Sequence, residues 1–211
     1  AEKIWDGGVV AVPIPSHLGD WVIPEEEREE LQPYDPEKAK QLLAEAGYPN
    51  GFDTKIMTTE GYGPQWVRTA EWVLEDLRQI GINAELDIVE YGTWISDRWP
   101  NSKFEMGVSP QFTQLEPDEF MRRYESDSSL NWFNINDPKL DSMIAEQRVE
   151  MDVEKRIQLV HEIQRYILTE LVNPLELSTP YQPVIHRGYV RNYYPHGSYG
   201  YIHIQHAWLD K

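Results

Sequence analysis

Three acidic residues around one proline are the first candidates for chemistry. Glu116, Asp118 and Glu119 flank Pro117, and paired carboxylates are what a glycoside or peptide hydrolase needs, one as acid and one as base or nucleophile. Acids in a first helical turn also answer to the helix dipole and the orphan N–H groups there, so capping accounts for them without catalysis. His203 and His206 are the closest histidine pair; three apart in a strand, they face opposite sides and have no third ligand. With zero cysteines, thiol nucleophiles, zinc–thiolate sites and disulfides are excluded. Gly61-Tyr62-Gly63 lacks the lysine and spacing of a phosphate loop, and no serine stands in a nucleophile elbow. No metal or cofactor is expected.

Aromatic residues are the second candidates. The chain has 8 Trp and 12 Tyr. Trp94, Trp99, Phe112, Trp132 and Phe133 fall in short helices or loops beside strand ends, where rings can wall a pocket for a peptide or sugar or simply pack between loops. Trp66 and Trp72 lie on a helical pattern and read as partly core.

The elements that must carry these residues are legible in caps and periodicity. Prolines 13, 15 and 24 make residues 1–33 an irregular lead-in, with the acidic run 25–30 as a solvated surface turn of helix. Asp35-Pro36 is a cap followed by proline at the first helical position. Ala39, Leu42, Leu43 and Ala46 then mark one buried face, and Gly47 ends the helix. A strand over 54–58 comes next, and a second helix from Pro64 carries Trp66, Ala70, Val73, Leu77 and Ile80 to Gly81. Ala84, Leu86 and Ile88 alternate as a half-buried strand. A short helix over 93–99 stops at Pro100, and 104–108 makes a third strand. Helix and strand in alternation argue for an α/β layer with crossover connections. Loops are expected over 109–115 and 126–135. Asp137-Pro138 opens another helix with Leu140, Met143 and Ile144, and Asp152 caps the longest, with Ile157, Val160, Ile163, Ile167 and Leu171 inward. A strand over 175–178 and an aromatic tail complete the chain.

Several of these segments together resemble one family. Residues 34–52, YDPEKAKQLLAEAGYPNGF, are similar to the corresponding stretch of family 5 extracellular solute-binding proteins, the receptors of dipeptide, oligopeptide, nickel and some oligosaccharide ABC importers. Further resemblances follow in the family's order: residues 74–90, Phe104-Glu105-Met106, Glu116-Pro117-Asp118-Glu119-Phe120, Asn136-Asp137-Pro138-Lys139-Leu140-Asp141, and 152–163. The resemblance implies an α/β, periplasmic-binding-protein-like (type II) C-terminal lobe, a mixed sheet flanked by helices. It divides the chain into the lead-in 1–33, a solute-binding lobe 34–179, and a tail 180–211 that returns toward a first lobe of the same protein. The implied activity is capture without turnover: two lobes close by a hinge over a solute and dock on a membrane permease. The implied location is periplasmic or extracellular, at the membrane through the permease or a lipid anchor. Ala1–Trp5 lacks a basic start followed by an apolar run, so a removed leader or a piece of a longer chain is expected.

The resemblance also implies binding residues. Tyr91 after Glu90 matches an aromatic that follows the strand's glutamate in peptide-binding relatives, and Arg98 matches an arginine seven residues on, with a plain surface ion pair as the alternative. The loop after the third strand adds Gln111, Phe112, Thr113 and Gln114, and Trp132 is the further aromatic candidate. Peptide binders carry an aspartate four residues before the helix-opening proline, where it pairs with the ligand's amino group. Here that position is Thr113, or Gln114 with an insertion, and neither is anionic. Free di- and tripeptides therefore lose a charge-assisted contact, and a blocked or cyclic peptide, an oligosaccharide or another polar solute fits better.

Charge narrows the classes. With 19 Lys plus Arg against 36 Asp plus Glu, the net charge is −17, which repels phosphate backbones and anionic lipid heads alike. Nucleic-acid binding is not expected on that ground. A receptor lobe, a hydrolase using Glu116 or Asp118, and an interaction module with a filled face at Tyr91, Arg98 and Thr113 remain as three separable readings.

Overall fold

A computed structural model describes residues 8–10, 13–110, 114–171, 178–180, 186–193 and 204–210. The chain divides into two units. One comprises residues 32–111 and 126–136, the other residues 1–31, 112–125 and 137–211.

The first of these is an α/β layer. Helix α2 (Pro36–Glu45) begins as its sequence demands, with the Asp35 side chain accepting from Lys38 N at 2.8 Å and Pro36 at the first position. Strand β2 (Asp53–Thr58) is the centre of a three-stranded sheet, with the strand Asn83–Ile88 on one side and the strand Met106–Gly107 on the other. Helix α3 (Pro64–Gln79) crosses from β2 to β3 (Asn83–Ile88), and β2 pairs with it in parallel from Asp53 opposite Asn83 to Thr58 opposite Ile88. Parallel neighbours need such a crossover, because no tight turn can join them. The third strand, β4, is only Met106–Gly107, also parallel to β2. Ile56, Ala70, Leu74, Ala84 and Val108 form the core between α3 and the sheet.

Three expectations change here. Strand 104–108 shortens because its first residues are used elsewhere. The Phe104 ring stacks on Trp99 at 4.8 Å, and the Glu105 carboxylate accepts from Thr54 Oγ1 (2.8 Å) and Lys55 N (3.1 Å). The stripe on α2 is not a buried face: Leu42 is 51% exposed, and Ala39 and Leu43 are half-buried. Trp72 points outward from α3, while Trp66 packs on the core. Helical spacing marks which residues share a face but not whether anything covers it.

The short helix expected over 93–99 is a turn, α4 (Tyr91–Thr93), running into a π-helix over Trp94–Arg98. Trp99 N donates to Trp94 O at 3.0 Å, five residues back. The wider turn brings residues five apart onto one face, and Trp94 and Trp99 stack there at 4.8 Å with 20° between planes. With Met57 and Val89 these two rings form a second apolar cluster, against which Tyr62, Phe104, Trp132 and Phe133 pack. Most of the aromatics near the strand ends are therefore engaged with one another.

The other unit is mainly helical. Residues 8–31 carry more regular structure than their prolines predict: β1 (Gly8–Val10), a 3-10 helix over Ser16–Trp21 and helix α1 (Glu25–Leu31). Long-range contacts impose this order. Gln164 Nε2 donates to Trp21 O (2.7 Å), His161 Nε2 to Asp20 O (2.8 Å), and Arg165 pairs with Glu27. All three partners lie on α7 (Val153–Glu170), which buries Val160, Ile163 and Ile167 as expected and Gln164 as well. Helix α6 (Pro138–Val149), capped by Asp137, packs on α7, and α5 (Pro117–Met121) precedes them. β1 pairs antiparallel with β5 (Ser178–Pro180), and β6 (Val190–Arg191) with β7 (Trp208–Leu209). Of the strand expected over 175–178, only Ser178 falls within the described residues.

Candidate functional site

The carboxyl ends of β2 and β3 position the best-defined candidate, Tyr91. β3 ends at Ile88, Val89 N donates to Thr58 O (2.9 Å), and Glu90 then caps the next helical turn. Its carboxylate accepts from Gly92 N (2.8 Å) and Thr93 N (2.9 Å), and these two backbone bonds hold it below the ordinary carboxylate range. Tyr91 follows directly and is 39% exposed.

Its ring is braced from below. Tyr62 meets it edge to face at 5.2 Å and 89°. A Cβ on Gly61 would lie 2.1 Å from Tyr91 Cδ2, so the ring occupies space that only glycine leaves open. Burial, together with the hydrogen bond to Tyr91, pushes the Tyr62 phenol up to about 12. Gly61 and Tyr62 are thus the supports of Tyr91. In the sequence they show only as part of Gly61-Tyr62-Gly63, which lacks the lysine of a phosphate loop, and nothing local ties them to a ring thirty residues on.

Arg98 is held in an internal pair. Nη2 donates to Asp87 Oδ2 at 2.7 Å and Nε to Lys103 O at 2.9 Å, which ties the π-helix back to β3. Trp132 is half-buried, edge-on to Trp99 at 6.0 Å, and its carbonyl accepts from Ser102 Oγ at 2.5 Å. Tyr91, Arg98 and Trp132 belong to one unit. Gln114 belongs to the other, where its carbonyl accepts from His17 Nε2 at 2.9 Å. Gln111, Phe112 and Thr113 lie outside the described residues, as does His203. His206 ends a 3-10 helix, and its carbonyl accepts from Asn192 Nδ2 (2.9 Å).

The carboxylates of the hydrolase reading are built into the scaffold. Glu116 caps α5 by accepting from Asp118 N (2.7 Å) and pairs with Arg156. Asp118 accepts from the buried Gln147 Nε2 at 2.7 Å and from Arg148 at 2.8 Å. Arg148 also holds Glu125 at 2.9 Å, and the hydrogen bonds it donates to Glu125 and Asp118 push its guanidinium further up. Carboxylates tied by arginine at both positions serve a cap and a network and are poorly disposed to deliver a proton.

The comparison with known families turns on most of this chain. The model of the bacterial extracellular solute-binding proteins, family 5 Middle, matches residues 2–132. The chain belongs to this family. Among its relatives, heme-binding protein A of Haemophilus influenzae is 29% identical over 161 residues, 73% of this chain and 28% of that protein. The di/tripeptide-binding protein 3 of Pseudomonas aeruginosa is 26% identical over 159 residues, 72% of this chain and 30% of its own length. The chain thus spans about three-tenths of the curated relatives it matches. In structure it is similar to the ABC transporter-associated periplasmic binding protein DppA of Helicobacter pylori, solved with the peptide STSA. The TM-score is 0.76 at 25% identity, over 97% of this chain and 40% of that one. The α/β, type II periplasmic-binding-protein-like fold class stands, with one refinement. Among the described residues the three-stranded sheet is wholly parallel, and antiparallel pairing is confined to the two ribbons. This family and its structural neighbours are binding proteins. Among the described residues no helix is long and apolar enough to cross a membrane.

Proposed function

We propose that this chain forms one wall of the ligand cleft in the solute receptor of an ABC importer of the peptide type, and that it captures solute without converting it. Tyr91 carries the reading. It is a partly exposed ring at the carboxyl end of a parallel strand, where ligands of open α/β sheets bind, and it is braced by Gly61 and Tyr62 instead of packed away. By the family resemblance, Gln111, Phe112, Thr113, Gln114 and Trp132 are the further proposed ligand-binding residues. Arg98 contributes by fixing the helical turn, since Asp87 already occupies its guanidinium. The similar Pseudomonas and Helicobacter proteins are named for, or solved with, peptides, which supports a peptide-like solute. Residues 180–211 return toward a first lobe, a permease is the membrane partner, and the location is periplasmic or extracellular.

The uncharged Thr113 and Gln114 separate this receptor from binders of free dipeptides. Such peptides bind weakly, and blocked, cyclic or longer ones are preferred. Native mass spectrometry of the complete receptor purified from its host identifies the solute that travels with it. Calorimetry with Tyr91→Ala then measures the platform: a loss of tenfold to a hundredfold in affinity, about 1.4–2.8 kcal/mol, is expected. Unchanged affinity removes Tyr91 from the site, and low-micromolar binding of free dipeptides removes the proposed selectivity.

A further inference from the structure

Asn50 is the only asparagine in the chain that is followed by glycine. An asparagine side chain is open to attack by the backbone nitrogen of the next residue, and a glycine there, having no Cβ, leaves the approach unhindered. Asn50 is exposed, and among the described residues no hydrogen bond or ion pair holds its side chain. Asn101, which precedes Ser102, is by contrast tied down: its Nδ2 donates to Asp97 O (2.8 Å) and Asp97 Oδ1 (3.2 Å).

The turn that carries Asn50 sets the pace. Gly51 N donates to Tyr48 O at 2.9 Å, Pro49 stands second, and Asn50, in third place, is not among the residues with positive φ. This is a type I turn, with glycine in its favoured fourth place. The attacking nitrogen is therefore the donor that closes the turn, and it must be released by local opening before it reaches the side chain. Beyond it the packing is tight. Gly51 has φ +72°, and a Cβ there would meet Gly81 O at 1.7 Å. The β2–β3 ladder starts immediately after, with Asn83 N donating to Phe52 O at 2.9 Å and Asp53 opposite Asn83. A main chain lengthened at this junction has no room to fit without displacing one of the two strands.

We propose that Asn50 is a self-modification site, converted through a succinimide with Gly51 into aspartate and isoaspartate. The Gly51 nitrogen gives its proton to hydroxide and bonds to Asn50 Cγ. The bond from Cγ to the side-chain nitrogen breaks, and ammonia leaves with a proton taken from water. A water molecule then opens the ring at either carbonyl. Both products add a negative charge, and isoaspartate also inserts a methylene into the main chain ahead of Gly51, pressing it on the Gly81 carbonyl. The site is independent of what the receptor binds. To test it, the full-length protein is kept warm at mildly alkaline pH, folded and in urea, with peptide mapping by mass spectrometry following every asparagine. Conversion is expected first at Asn50, mostly to isoaspartate, and several-fold more slowly in the folded chain than in urea. Asn50→Gln is expected to remove the first acidic species. Asn50→Asp, which adds the charge without the methylene, is expected to keep the wild-type denaturant midpoint, while the isolated isoaspartate form shows a lower one. Conversion that begins at another asparagine, or a folded chain still intact when the unfolded one has turned over, overturns the site. Equal rates in the two states remove the turn's hold on the reaction, and an isoaspartate form as stable as Asn50→Asp overturns the effect at Gly81.

Discussion

At the scale of single residues, two glycines fix the geometry around β2. Gly51 has φ +72°, and a Cβ there would meet the Gly81 carbonyl oxygen at 1.7 Å. Gly51→Ala combines a left-handed backbone with a backbone clash and is expected to cost about 2–4 kcal/mol, read as a fall in the denaturant midpoint. Gly61→Ala has a different consequence. The new methyl displaces the Tyr91 ring, so solute affinity falls several-fold while the midpoint moves little; an affinity equal to wild type would show that the ring's position is immaterial. The Tyr62 phenol supplies a spectroscopic check. Its folded value of about 12 lies above the ordinary 10.0, so the neutral form is favoured in the folded state. The stability it contributes is complete below pH 10 and is lost as pH rises from 10 toward 12. Absorbance at 295 nm, compared with Tyr62→Phe, is expected to show that this phenolate is absent until near pH 12.

Among the elements, the π-helix over Trp94–Arg98 does the most to shape the site. It aligns Trp94 with Trp99, and Trp99 in turn carries Phe104, Trp132 and Phe133 around it. Trp99→Ala removes the shared ring and is expected to cost about 3–5 kcal/mol, with loss of the near-ultraviolet circular dichroism of the stack. Retention of that signal would mean the cluster is held by other contacts. Caps and helical starts were legible in the residues themselves: Asp35, Asp137 and Asp152 each accept a backbone N–H where the sequence places a cap. The π-helix was not, because Trp94 and Trp99 look like an ordinary helical pair until their stacking selects the wider turn. Nor was the short β4, since Phe104 and Glu105 leave the ladder for a ring and a neighbouring strand.

For the whole molecule, acid sensitivity follows from carboxylates held in their charged form. The Arg165 hydrogen bond lowers Glu27 below its ordinary 4.5. Burial alone would raise Asp137, but bonds from Leu140 N, the Tyr166 hydroxyl and Lys139 N outweigh it and leave it below 3.8. A lowered carboxyl contributes stability that is complete above its unfolded value and is lost as pH falls through the folded one. The midpoint is therefore expected to drop below about pH 4.5. Glu27→Gln should flatten that slope and cost about 1 kcal/mol at neutral pH, a modest figure for a pair half open to solvent. An unaltered acid limb in this variant would assign the sensitivity to other groups.

Sequence alone determined the α/β class, the caps, most helix and strand positions and the family resemblance, because these depend on neighbours within a turn or a strand and on a long contiguous motif. It also placed Tyr91 after its glutamate. Only the tertiary structure decided what the charged and aromatic side chains do there. Arg98 faces Asp87 across eleven residues, Glu27 meets Arg165 across 138, and Tyr91 rests on Gly61. Contacts between distant positions follow from how elements pack, and no spacing along one chain encodes which cation a carboxylate will find. The same reason explains the stripe of α2, expected to be covered and found open.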